Sequence, residues 1–164
     1  MRRSFAITAI CLGAIALGAI APVWRSGVSA SADAAQAGVV SLRSRFGFDE
    51  TVSRLKANAA VKGILFFSEI DQSQLAANAG IKLAPSTLLV FGNPPLGTLF
   101  ISANPLAGLD WPVRLLVFEK GGDVWVAYTN FTTIARRHGI TNRDTEFNMA
   151  SQVIGSLTSA VDAR

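Results

Sequence analysis

The chain has 164 residues, 50% of them hydrophobic, with 15 Lys and Arg against 11 Asp and Glu. That length suits one domain. Apolar content this high, with only 16% charged residues, excludes a disordered chain, and a single cysteine excludes an internal disulfide. The net charge of +4 raises the question of a polyanion partner, and its distribution answers it. Arg2, Arg3 and Arg25 lie ahead of every acidic residue; removing them from the 15 leaves 12 basic against 11 acidic residues from Asp33 onward. Arg136, Arg137 and Arg143 make only a small basic patch, without the interleaved aromatics that stack on single strands, so no nucleic acid is expected.

The first 32 residues read as an address. Arg2 and Arg3 precede an uncharged apolar run from Phe5 to Ala21, followed by Pro22 and by small residues at Val28-Ser29-Ala30 and Ala30-Ser31-Ala32. A positive end, an apolar middle and small residues at −3 and −1 are the parts of a secretory signal peptide. Cleavage is expected after Ala32, with Ala30 as the alternative, giving a periplasmic or secreted protein. An uncleaved membrane anchor is the competing reading, because Phe5 to Trp24 approaches the ~20 residues of a spanning helix. Arg2-Arg3-Ser4-Phe5 also resembles a twin-arginine signal. Cys11 falls inside the apolar run behind Ile10, where lipidation wants a small residue, so the mature chain holds no thiol.

After a flexible lead-in over 33–38, residues 39–164 read as one domain. Val39 to Arg45 alternates as a strand with one solvated face. Phe48, Val52, Leu55 and Ala59 recur at helical spacing, with Asp49 and Glu50 in the first turn and Gly63 as the stop. Ile64 to Ile70 is a second strand, and Asp71-Gln72-Ser73-Gln74 resembles a capping box opening a helix that ends at Gly80. Thr87 to Phe91 is a third strand. The turn Phe91-Gly92-Asn93-Pro94-Pro95 follows, then a short helix capped by Thr98 and ended by Pro105. Val113 to Glu119 and Val124 to Asn130 are strands joined by the hairpin Lys120-Gly121-Gly122-Asp123. Phe131 to His138 is a short helix. Phe147, Ala150, Ile154, Leu157 and Val161 mark one face of a long C-terminal helix with Thr141 as its cap.

This order predicts an α+β domain with a mixed or antiparallel sheet of about five strands and helices packed on it. The third and fourth strands offer few polar positions to water, which implies that both sheet faces are covered, the second by the last helix or by a partner subunit. A homodimer is expected on that ground. Trp111 and Trp125, beside apolar strand residues, are expected in the core.

The chemistry-bearing residues are few. His138 is the only histidine, and at the end of a short helix it is expected to bond the last carbonyls. Glu69-x-Asp71 puts two carboxylates on one side of a strand end, a spacing open to acid–base work, though Asp71 also serves as a helix cap. Asp71 and His138 are therefore the catalytic candidates. The Gly92-Asn93 turn leading to Thr98 offers backbone N–H groups that could hold an anion, and Tyr128 and Asn130 could line a pocket with Asp110 and His138 if the strand ends converge. No spacing of ligands supports a metal, and no cofactor motif is present. The residues favour a binding or accessory module for a small ligand or partner protein over a small enzyme or a membrane-tethered structural subunit.

From about Arg45 to Gly139 the chain resembles the family called domain of unknown function 302. The match is carried by Phe46-x-Phe48-x-Glu50-Thr51-x-x-x-Leu55, Ile70-Asp71, Ala76-x-x-Ala79-Gly80-Ile81 and Phe91-Gly92-Asn93-Pro94-x-x-Gly97-Thr98. Asp110-x-Pro112, Val117-Phe118, Val124-Trp125-Val126-x-Tyr128 and Arg137-His138-Gly139 continue it. The resemblance implies a compact α+β domain, dimeric in examples of the family, with no settled activity. Gln72 stands where the family often has His, and Ile101 where Met is common, so no metal or acid–base role passes over from that His.

Overall fold

The computed structural model describes residues 38–163. The signal segment expected over 1–32, its cleavage sites and the lead-in up to Ala37 lie outside the described residues. A five-stranded sheet runs β1 (Val39–Arg43), β2 (Leu65–Asp71), β3 (Ser86–Gly92), β4 (Val113–Lys120) and β5 (Asp123–Thr129) in sequence. In space the order is β1-β5-β4-β3-β2, every neighbouring pair antiparallel. The expected choice between a mixed and an antiparallel sheet is thus resolved as antiparallel. Gly121 and Gly122 take φ of 65° and 85°, the double left-handed turn that a two-residue hairpin needs to match strand twist.

The α-helices are α1 (Phe48–Val61), α2 (Gln72–Asn78), α3 (Pro94–Ala103), α4 (Phe131–Arg137) and α5 (Asp144–Thr158), with a 3-10 helix, η1 (Pro105–Leu109), between α3 and β4. In α1 the apolar spacing buries Val52, Leu55 and Ala59, while Asp49 and Glu50 face the positive end of the helix dipole. In α5 the same rule buries Phe147, Ala150, Ile154 and Leu157. Together they cover Leu89, Phe91, Leu115, Val117, Val124 and Val126, the alternate positions of β3, β4 and β5, in one core. Full burial of side chains such as Leu55, Leu89 and Leu115 contributes about 1.5–3 kcal/mol each. Phe100 of α3 stacks on Phe147 of α5 at 4.2 Å and extends this core to the sheet end.

Several expectations are corrected by the structure. The last helix does not cover the second face of the sheet; it shares the first face with α1. Leu88, Val90, Leu116, Phe118 and Trp125, which alternate with the core positions, are only half-buried. Trp125 therefore lies on that second face, and Trp111 is half-buried at the sheet end; neither is in the core. The first strand ends at Arg43, because Ser44 instead bridges Asp162 near the C-terminus. The third helix starts four residues before Thr98, at Pro94, with Asn93 as its cap. Two prolines read as a turn also fit the first positions of a helix, where no N–H is needed. Likewise α5 starts at Asp144, with Arg143 and not Thr141 at its cap.

Candidate functional site

The antiparallel register sorts the sequence candidates to two ends of the sheet. Asp71 pairs with Thr87, at the start of β3, whereas Leu65 pairs with Gly92 at its end. Phe91 pairs with Val113 and Leu115 with Tyr128. Gly92, Asn93, Asp110, Tyr128, Asn130 and His138 therefore gather at one end, and Asp71 stands alone at the other. An acid–base site joining Asp71 to the rest is excluded by that separation.

At its own end Asp71 has a local task. Its Oδ1 accepts the Gln74 amide at 2.8 Å and the Ser73 hydroxyl at 2.7 Å, which caps α2. These hydrogen bonds, Gln74's foremost, hold its carboxyl below the usual range. Neighbouring Glu69 is taken by Lys56 at 2.6 Å, so the two carboxylates do not act as a pair.

The opposite end is built around Asp110, whose side chain is 4% exposed. His138 Nε2 lies 2.7 Å from Oδ2, and Arg137 Nη1 reaches both oxygens at 2.8 and 2.7 Å. Arg114 Nη2 donates to Oδ1 at 3.1 Å and also to the Leu109 carbonyl. Burial pushes the Asp110 carboxyl up, but hydrogen bonds from His138 and Arg137, and their charge, outweigh it and hold it below the usual range. An ionised carboxylate only accepts, so His138 Nε2 carries the hydrogen. The expected role of His138 is thus corrected: its ring is buried in an ion-pair cluster and does not bond helix carbonyls. Arg137, counted from sequence in a small basic patch, is drawn into the same cluster. Asn104 adds a second tie: its Oδ1 caps η1 at Leu106, and its Nδ2 donates to the His138 carbonyl at 2.8 Å. The 3-10 segment is therefore fastened to the end of α4 by both of its flanking residues.

The Asn93 turn is tied to its own helix. Asn93 Oδ1 accepts the Leu96 amide at 3.3 Å and its carbonyl accepts the Gly97 amide at 2.9 Å, while Pro94 and Pro95 have no N–H. The expected anion-holding amides are consumed by the helix's own cap, and Thr98 is exposed within α3. Asn130 likewise caps α4, accepting the Thr132 amide at 2.8 Å. Tyr128 is partly buried against the core.

Beneath the Asn93 turn the sequence candidates border something the residues did not announce. A cavity of about 40 Å³ opens between the sheet end, α3 and α5, with Gly92, Asn93, Phe100, Trp111, Ala150 and Ile154 among its walls. Its shape depends on Gly97, where an added Cβ would lie 1.9 Å from the Trp111 ring. Trp111 holds its place against Gly92 and Gly97 and meets Phe67 edge-on at 6.1 Å. A sequence signal existed in the Gly92 and Gly97 spacing ahead of Trp111, but only the fold shows that all three meet.

The comparisons with known proteins fit this architecture. A domain from Bacillus stearothermophilus, described as an uncharacterized conserved DUF302 protein, superposes with a TM-score of 0.62 at 18% identity, covering 76% of this chain and 95% of that one. It supports the fold alone. Fluoride-specific ion channel FluC 1 of Brucella suis is 36% identical over 104 residues, 63% of this chain and 41% of that protein. Its Brucella abortus counterpart shares 36% over the same length, 38% of that protein, so the chain spans less than half of these relatives. The family model for the domain of unknown function DUF302 matches residues 40–163, and the chain belongs to that family.

Proposed function

We propose that this chain is an exported α+β binding module whose ligand enters the apolar cavity beneath the Asn93 turn. The observation that carries this reading is the cavity itself: an apolar opening at the sheet end, walled by aromatic rings, where native cores are otherwise close-packed. A thermal-shift screen of small ligands on the purified protein tests it. Ligands that raise the melting temperature of the native protein are expected to lose that effect in Val153→Trp, which places a ring at the cavity mouth; hits indifferent to that change sink the proposal.

Export rests on the Arg2–Ala32 pattern, and mass spectrometry of the isolated protein is expected to find Asp33 at the N-terminus. An intact Met1 or Arg2 would turn the reading to a membrane-tethered accessory domain. The relatives give that version a context, since a fluoride-specific ion channel works in a membrane. Among the described residues no helix is long and apolar enough to cross a membrane, and a 104-residue match is too long to fit outside residues 38–163. In that version the domain accompanies a membrane function and does not form the pore.

A homodimer is part of the same proposal. The half-buried second face of the sheet, with Leu88, Val90, Leu116, Phe118 and Trp125, is a surface of the kind a second copy covers. Light scattering at micromolar concentration is expected to give twice the chain mass, and Leu116→Lys to give one. An enzymatic reading is weaker: Asp71 and His138 lie at opposite ends, and the His138 side chain is 6% exposed.

A further inference from the structure

The cavity continues into a wider surface groove of about 330 Å³, and the two share Ile64, Asn93 and Val153. On α5 the groove wall is Met149, Gln152, Val153 and Ser156, which fall at helical spacing on one stripe. Met149 and Val153 are 51% and 37% exposed, so the groove floor is apolar and open. Lys62, the C-cap of α1, also lines the groove.

We propose that this combined site takes a linear alkyl chain carrying an anionic head, with the chain end in the cavity and the head at Lys62. The inference rests on the reading that the cavity is the ligand site and adds the ligand's class. Three observations fix that class. The inner cavity is far smaller than the roughly 150 Å³ that holds benzene, so it admits the tip of a chain and not a ring. Outside it, Val153 and Met149 give the following methylenes apolar surface in the groove that Lys62 also lines. Lys62 is the single charged side chain lining cavity or groove, no carboxylate lines either, and no salt bridge holds its ammonium among the described residues. An anion there meets an uncompensated cation beside apolar surface, whereas a cationic head would meet repulsion.

The test uses decanoate and decanol as soluble probes, read by melting temperature and by Trp111 fluorescence, with Trp111→Phe identifying the Trp111 share of the signal. Decanoate is expected to bind more tightly than decanol. Lys62→Glu, on an exposed residue, is expected to weaken decanoate about tenfold and leave decanol within about twofold. Val153→Trp is expected to abolish both. Sedimentation with phosphatidylglycerol vesicles separates the sources of the chain: co-sedimentation lost in Val153→Trp assigns it to a membrane lipid, and decanoate binding without co-sedimentation assigns it to a free acid. Equal decanoate affinity in the native protein and Lys62→Glu overturns the anionic head. If decanoate leaves the native protein unchanged while other compounds bind and are lost in Val153→Trp, the alkyl class fails and the cavity remains the ligand site. If no compound is sensitive to Val153→Trp, the cavity reading itself fails.

Discussion

Asp71 and Asp110 are the same residue in two situations, one at each end of the sheet. Each stands at an end of a short helical segment, Asp71 ahead of α2 and Asp110 after η1, and each has its carboxyl held below the usual range. The partners of Asp71 are two and three residues away in sequence, at Ser73 and Gln74. Those of Asp110 lie 4, 27 and 28 residues away, at Arg114, Arg137 and His138. One acidic residue shapes a single turn of helix, and the other closes the whole end of the domain. The difference shows that a low carboxyl pKa says little about role until the origin of its donors is known.

Breaking Asp110 is expected to have the largest effect. Asp110→Asn leaves His138 and two guanidinium groups without their shared acceptor charge. Removing one partner of a buried ion pair costs 3–5 kcal/mol, and the half-exposed arginines can turn to water, so about 3 kcal/mol is expected. Thermal unfolding should show a loss on the order of 10 °C; an unchanged melting temperature would mean that the cluster fastens nothing. The pH dependence follows from the direction of the shift. A carboxyl whose folded value is depressed contributes its full stability above its unfolded value of about 3.8, and loses it as pH falls through the folded value. The gap between native protein and Asp110→Asn should therefore be widest near neutrality and close in acid.

Gly97→Ala should come next. The new methyl would overlap the Trp111 ring, and overpacking of this kind costs about 1–3 kcal/mol. The double change Gly97→Ala with Trp111→Leu should recover part of that loss, because the ring is what the methyl strikes. Failure of the second change to restore any stability would put the strain elsewhere in α3.

How far the sequence reaches follows the same division. The cap at Asp71 was legible in four consecutive residues, because its hydrogen bonds close within one turn. The strands were legible too: alternation and apolar runs placed β2 through β5 within about two residues, and the Gly-Gly hairpin needed only the φ preferences of two glycines. From sequence, Asp110 and His138 are neighbours only on the condition that strand ends converge, since nothing local joins residues 28 apart. The β4–β5 hairpin and α4 bring them together. The start of α3 at Pro94 is not legible for a related reason. Its prolines forbid a strand, but whether they open a helix depends on Phe100 finding Phe147 to stack on, and that contact is between distant segments. The segment η1 was missed because Pro-Leu-Ala-Gly-Leu has no polar periodicity; its ends are held by Asn104 and Asp110, again through contacts outside the segment.

The smallest expected effect belongs to Asp71. Asp71→Ala removes the acceptor for the Gln74 amide, but α2 buries none of its side chains and Leu75 is 58% exposed. The helix is therefore tied to the domain mainly by its first residues, where Gln72 and Ser73 bond Ser86. Losing the cap should free the first turn without releasing the sheet, since β2 keeps its ladder with β3. Amide exchange is expected to quicken over Gln74 to Asn78 while Leu89 and Leu115 in the core stay protected. The melting temperature should fall less than in Gly97→Ala. A global loss matching Asp110→Asn would instead mean that α2 is part of the cooperative core, and the contrast between a local and a long-range aspartate would collapse.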